Sequence, residues 1–215
     1  MSQACIALNY PIISGNASLY NETNGKGILP TPAIGGVGIL KDLSKCIGNS
    51  FTAEGEDIIL IGETKGHLGQ SLFLREILGK EEGAPPPVDL AVEKKNGDFV
   101  RELIQGGKVS ACHDISDGGL LVAIAEMTYR RGVGATLSPI PNPKSPIPYF
   151  FGEDQARYII TTKNAAAILE AAKKSGITAE IIGITQAEML EFAGEKIATA
   201  ELKKANESWL PNFMM

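Results

Sequence analysis

Apolar residues along this chain fall into short runs that switch between the alternation of a strand and the longer period of a helix. Asp57–Gly62 (DIILIG) is an unbroken apolar run closed by glycine, as expected of a strand buried on both faces. His67–Leu78 carries Leu68, Leu72, Ile77 and Leu78 with Gly79 behind them, which predicts a helix with a glycine cap. Pro85-Pro86-Pro87 is a stiff connector, and Val88–Lys95 and Asp98–Gln105 read as two helical stretches separated by Asn96-Gly97. Val109–Ile115 predicts a strand. Leu120–Arg131 predicts a helix, with Arg130 and Arg131 at its negative end and Gly132 beyond. The five prolines of Pro139–Pro148 predict an extended loop. Arg157–Thr161 and Ala179–Thr185 predict strands on either side of the helix Ala165–Lys174, which Asn164 would cap and Gly176 would end. Met189–Phe192 and Lys196–Ala200 flank Ala193-Gly194 as a hairpin, and Glu201–Glu207 predicts a short helix before Trp209. This alternation points to an α/β or α+β domain, a mixed sheet with packed helices.

The first 40 residues look different. Ala4–Leu8 and Pro11–Ile13 are brief apolar stretches, Leu19–Gly25 is polar and turn-like, and Ile28–Leu40 reads as loop followed by strand because each proline pushes its predecessor toward extended geometry. Two short strands and no helix make a poor domain, so this β-rich remnant is expected to complete a domain that begins elsewhere.

Composition narrows the class. At 215 residues with 44% hydrophobic and 21% charged, the chain is long enough for one domain or a domain and a piece of another. No apolar run approaches the ~18–20 residues of a membrane span, and the start lacks the basic segment of a signal peptide. Cys5, Cys46 and Cys112 are odd in number and never spaced CxxC, which fits reduced thiols in a cytoplasmic setting. A net charge of −5 argues against a nucleic-acid polymer as partner, but says nothing against phosphates held by local backbone amides.

Three places carry candidate chemistry. In His113-Asp114-Ile115-Ser116-Asp117-Gly118-Gly119-Leu120 a strand gives way to a helix. Its carboxylates suit Mg²⁺ and its glycines admit a phosphate; equally, Ser116 or Asp117 caps the helix and the glycines serve packing. In Ser14-Gly15-Asn16-Ala17-Ser18, Gly15 permits close backbone approach, Asn16 offers a neutral carbonyl to a hard cation and Ser18 a hydroxyl to a phosphate; the plainer reading is a polar turn. Glu153-Asp154-Gln155, just before a strand, reads alone as a solvated loop. His67 and His113 with the scattered cysteines do not make a zinc spacing, and Cys112 reads as a small core residue.

SGNASLYNETNGKGILPTPAIGGVGIL (Ser14–Leu40), GHLGQSLFL (Gly66–Leu74) and ACHDISDGGLLVAIAEM (Ala111–Met127) together resemble phosphoribosylformylglycinamidine synthase in its small, multi-subunit bacterial form, and more loosely the wider aminoimidazole-ribonucleotide-synthetase superfamily. The resemblance runs from about Ala4 to the final WLPNFMM. It implies that residues 1–40 are the tail of an ATP-binding-type domain and 41–215 a C-terminal α/β domain. It implies an ATP-dependent ligase that turns formylglycinamide ribonucleotide and glutamine-derived ammonia into the amidine of purine biosynthesis. Gly15 then matches an ATP contact, Asn16 a ligand of Mg²⁺ and Ser18 a contact to the ribonucleotide. Asp114, Asp117, Gly118, Gly119, Glu153 and Gln155 match a pseudo-site, auxiliary or structural. The implied partners are the upstream half of the synthetase, a glutaminase subunit and a small bridging subunit. Because the main catalytic residues would lie upstream, the chain alone is expected to be inactive and to expose apolar surface. Two other readings stay open: a superfamily relative of the selenophosphate synthetase or thiamine-phosphate kinase type, or a non-catalytic binding module.

Overall fold

Asp57–Ile61 (β3) explains the architecture of the larger part of the chain. Along it Ile58 and Leu60 enter one hydrophobic cluster and Ile59 and Ile61 another, so alternate side chains leave opposite faces and all four are fully buried. A strand of this kind belongs in the middle of a sheet covered on both sides. In the computed structural model, which describes residues 1–139 and 146–215, β3 lies third in a seven-stranded mixed sheet. Its order is β4 (Ala111–Asp114), β6 (Tyr158–Thr162), β3, β7 (Ala179–Ala187), β5 (Val133–Leu137), β8 (Met189–Phe192) and β9 (Glu195–Ala198). Every pairing is antiparallel except β5 with β8. On one face α2 (Leu90–Gln105) and α5 (Ala165–Lys174) bury Phe99, Val100, Leu103, Ile168 and Ala172. On the other, α3 (Gly119–Thr128) buries Leu120, Ala123, Ile124 and Met127, joined by Phe150 of α4 (Pro146–Phe151) and by Leu202 of α6 (Thr199–Met214). The expected mixed sheet with packed helices is the fold.

Several elements depart from expectation, each for a local reason. The stretch from His67 to Ser71 is not helical; a single π-helical turn spans Phe73–Ile77, entered from Leu72. The main-chain amides of Lys65, Gly66, His67 and Leu72 donate to side chains far along the chain, which removes them from a helical ladder. α2 runs unbroken through Asn96-Gly97, because Asn96 is buried with its Nδ2 donating to the Ala156 carbonyl at 2.9 Å. The Asp89 carboxylate caps that helix by accepting from the amides of Ala91 and Val92. Part of the proline-rich loop is helix: Pro146 opens α4, where a missing N–H costs nothing, while residues 140–145 lie outside the described residues. The last helix runs on past Trp209 to Met214 despite Pro211, with Trp209 and Phe213 stacked at 5.2 Å and both exposed.

The chain divides into two units, Met1–Ser44 and Lys45–Met215. The smaller contains a six-residue helix α1 (Ser2–Ala7), which the sequence pattern did not predict, and the two-residue strands β1 (Glu22–Thr23) and β2 (Lys26–Gly27). Asn24-Gly25 turns between those strands with both φ angles positive, the geometry that a two-residue hairpin asks for. The strand expected within Ala33–Leu40 is absent: no ladder partner meets it among the described residues. No residue of this unit is buried.

Candidate functional site

The C-terminal ends of β3 and β4 and the start of β6 meet at one end of the larger unit's sheet, since Tyr158 is paired with both Ile61 and Asp114. Two carboxylates just before β6 organise the loops there. Asp154, only 6% exposed, accepts from three successive amides: Lys65 at 2.8 Å and Gly66 at 2.7 Å on Oδ2, and His67 at 3.1 Å on Oδ1. Successive N–H groups arranged in this way, with Gly66 at φ +76°, form an anion-binding nest. Glu153 is buried beside it, and its Oε1 accepts from the amides of Leu72 and Gly118, both at 2.8 Å. One carboxylate thus ties the Gly62–Leu72 loop to the N-terminus of α3, where negative charge is favoured. Arg157, 1% exposed, donates to the carbonyls of Asp154 (3.1 Å) and Gly152 and to Thr64 Oγ1 (3.2 Å), clamping the turn that aims both acids. Burial pulls its guanidinium below the ordinary value, and the Asp154 charge opposes that.

The expectation that Glu153-Asp154-Gln155 stands alone as a solvated loop is therefore corrected for the first two residues. Only Gln155 is exposed, its Nε2 donating to the Glu153 carbonyl at 3.3 Å. Gly118 and Gly119 are buried with positive φ, and a Cβ on Gly119 would come within 2.8 Å of the Phe150 and Gly152 carbonyls. The glycines let α3 pack against the end of α4. Asp114 and Asp117 point to solvent; Asp114 Oδ1 lies 3.5 Å from His113 Nδ1, and His113 Nε2 lies 3.1 Å from Glu126 Oε2. The amides of Lys65, Gly66, His67, Leu72 and Gly118 already donate to the Asp154 and Glu153 carboxylates, so the nest is filled from within the chain. Among the described residues no group of three His, Cys, Asp or Glu is placed to hold a metal ion. Cys112 sits half-buried in β4, and burial pushes its thiol up to about 12, leaving it inert near neutral pH.

In the smaller unit Gly15, Asn16 and Ser18 lie together on an exposed stretch without regular structure. A Cβ on Gly15 would meet nothing within 4 Å, and the Ser18 carbonyl accepts from Asn21 Nδ2 at 2.6 Å. The Asn16 side-chain carbonyl is a neutral oxygen ligand of the kind a hard cation takes, whereas the Ser18 hydroxyl and the open main-chain N–H groups are what could donate to a phosphate, so the residue types are compatible with Mg²⁺ and a phosphate.

Sequence reasoning missed Asp154 as the most connected acid, Arg157 as its clamp and Glu56 as a buried carboxylate. The available signal was composition: an Asp and an Arg three apart beside a strand, facing a Gly-rich loop that needs an acceptor.

Residues 53–193 match the family described as AIR synthase related protein, C-terminal domain. The chain belongs to that family. Over its whole length it is 55% identical, across 217 aligned residues, to a protein of Rhodopseudomonas palustris (strain BisA53) named "Phosphoribosylformylglycinamidine synthase subunit PurL". It spans about 30% of the length of the curated relatives that it matches. Among solved structures, Thermotoga maritima PurL complexed with FGAR aligns with a TM-score of 0.61, 20% identity, 75% of this chain and 30% of that one. The same protein complexed with ATP aligns at 0.57, with 75% of this chain and 28% of that one covered, and PurLQS from T. maritima at 0.56 with the same coverages. At such identities these structures show the fold of the AIR synthase related C-terminal domain. In that domain the Glu153–Asp154–Arg157 cluster is the buried brace at one end of the sheet.

Proposed function

We propose that this chain is the C-terminal part of a phosphoribosylformylglycinamidine synthase, an ATP-dependent C–N ligase that forms the amidine of formylglycinamide ribonucleotide in purine biosynthesis. The observation that carries this reading is the 55% identity to a PurL protein over the entire chain, the first 44 residues included. That stretch contains Gly15, Asn16 and Ser18. Here Asn16 would serve Mg²⁺ through its side-chain carbonyl, Gly15 would let the main chain approach ATP, and Ser18 would hydrogen-bond the ribonucleotide. ATP, when bound, supplies the phosphoryl group that turns an amide oxygen into a leaving group. We read residues 1–40 as the tail of an ATP-binding-type domain and 41–215 as the C-terminal domain. The Asp114–Gly119 and Glu153–Gln155 segments are then a pseudo-site, auxiliary or structural, which the Gly118 amide donating to Glu153 supports.

The rest of the synthetase, a glutaminase subunit and a small bridging subunit are the partners of this reading, in a cytoplasmic setting. The existence of a PurLQS structure for T. maritima supports an assembly of that kind. Kinase and selenophosphate synthetase readings are less favoured, because the full-length identity lies with PurL proteins.

The test is an ammonia-dependent amidine-forming assay on the 215-residue chain alone and mixed with the remaining N-terminal portion of a PurL protein. Turnover is expected only in the mixture, and substitution of Asn16 or Ser18 by alanine should depress it. A mixture that folds and associates yet shows no activity counts against the ligase reading. Turnover by the chain alone counts against its dependence on an upstream half.

A further inference from the structure

At the end of the sheet opposite Asp154 and Glu153, a third carboxylate is buried, with no cation in ion-pair distance among the described residues. Glu56 is 4% exposed and immediately precedes β3. Its Oε2 accepts from Ser110 Oγ at 2.7 Å and from Thr52 Oγ1 at 3.3 Å, and Ser110 Oγ in turn lies 2.7 Å from Thr161 Oγ1. Among the described residues no Lys, Arg or His lies within ion-pair distance of it, and no hydrogen bond reaches Oε1. A buried carboxylate without a counter-ion is costly unless something else supplies the charge. Oε1 is not among the sealed, unpartnered side-chain atoms, a condition that Ser50 Oγ alone meets among the described residues. It therefore retains an opening, and the cleft that Glu56 lines is about 470 Å³, within the range of small-molecule sites.

The rim of this cleft has the opposite sign. Lys108 and Lys163 line it, both exposed and neither in an ion pair among the described residues. Lys45 Nζ stands 3.7 Å from where a Cβ on rim residue Gly107 would be. The ten-residue helix α5 also begins here, presenting its positive end, with the Asn164 side chain reaching only the amide of Ala167 at 3.4 Å. A negative floor below a positive rim is the complement of a small zwitterion.

We propose that this cleft binds a free α-amino acid, its ammonium on Glu56 Oε1 and its carboxylate against Lys163, Lys108 and the first turn of α5. The site is independent of Gly15, Asn16 and Ser18 and of the ligase reading. A panel of the common free L-α-amino acids is titrated into the full 215-residue chain, and the backbone amide signals of Ser110, Lys163 and Ala167 are followed by NMR. At least one member should shift them saturably. Its N-acetyl form, which lacks the ammonium, should bind roughly tenfold or more weakly, as should the parent to Glu56→Gln. Its primary amide, which lacks the carboxylate, should be weaker on the wild-type chain and indifferent to Lys163→Gln. Should Glu56→Gln fail to fold, Lys163→Gln and the N-acetyl comparison on the wild-type chain decide alone. Silence across the panel overturns the proposal. So does equal binding of N-acetylated and parent compounds, or a response to inorganic phosphate alone that survives both substitutions.

Discussion

Asp154 shows how much one side chain can organise. Its two oxygens hold three consecutive amides of a loop that lies nearly ninety positions earlier in the chain. Hydrogen bonds to an ionised group contribute about 1.5–3 kcal/mol each, and amides left without a partner at a half-buried site add a desolvation cost. Asp154→Ala is therefore expected to destabilise the larger unit by about 3 kcal/mol or more in urea unfolding. Asp154→Asn, which keeps one acceptor oxygen, should lose roughly half of that. Hydrogen exchange locates the effect: the amides of Lys65, Gly66 and His67 should lose protection in both variants while those of β3 keep it. If the substitution instead leaves stability and exchange unchanged, the nest is not what orders the loop. The same reasoning separates Glu153 from Asp154. Glu153 joins two different elements, so its loss should loosen α3 as well as the loop.

At the level of elements, the demanding feature is the crossing from β7 to β8 over the end of β5. These two strands flank β5, one antiparallel and one parallel to it, yet only Glu188 separates them, at φ +35°. The chain passes so close that a Cβ on Gly134 would sit 1.9 Å from the Met189 carbonyl oxygen. Backbone cannot yield as a side-chain tip can. Gly134→Ala should cost about 2–3 kcal/mol and strip exchange protection from the β8–β9 hairpin before the rest of the sheet. Retained protection in that hairpin would show that the crossing has more slack than its geometry implies. This crossing also marks what was readable beforehand. β3, α5 with its Asn164 cap and the β8–β9 hairpin were legible because their signals are local: a doubly buried run, a cap and an Ala-Gly turn. The order of strands, the continuity of α2 through Asn96-Gly97 and the loop at His67–Ser71 were not. Each depends on a bond to a residue distant in sequence, such as Asn96 to Ala156 or Leu72 to Glu153. Of the candidate site, the residues of Asp114–Gly119 were visible as a strand-to-helix turn, but which amides already had partners was not.

For the molecule as a whole, the two units differ in what holds them. The larger one has clusters of fully buried side chains on both faces of its sheet, and its loops are tied by buried acids. In the smaller one no residue is buried, its helix has six residues, and its two strands make a ladder of two residue pairs. Ordering a residue's backbone costs roughly 1–2 kcal/mol, and burial is the main term that offsets it. Residues 1–44 have almost no such term among their own contacts, despite carrying Ile12, Ile13, Leu19, Leu29, Val37 and Ile39 exposed. Limited proteolysis of the isolated chain should therefore cut within that stretch first and leave a resistant core starting near Lys45. That core should show the same thermal midpoint as the whole chain, because both hydrophobic clusters of the sheet are built from residues of the larger unit. Adding the N-terminal portion of a PurL protein should then slow cleavage of residues 1–44 selectively, if their apolar side chains are covered in the synthetase. Cleavage that begins inside the sheet, or a midpoint that drops when residues 1–44 are removed, would show that the smaller unit stabilises the larger.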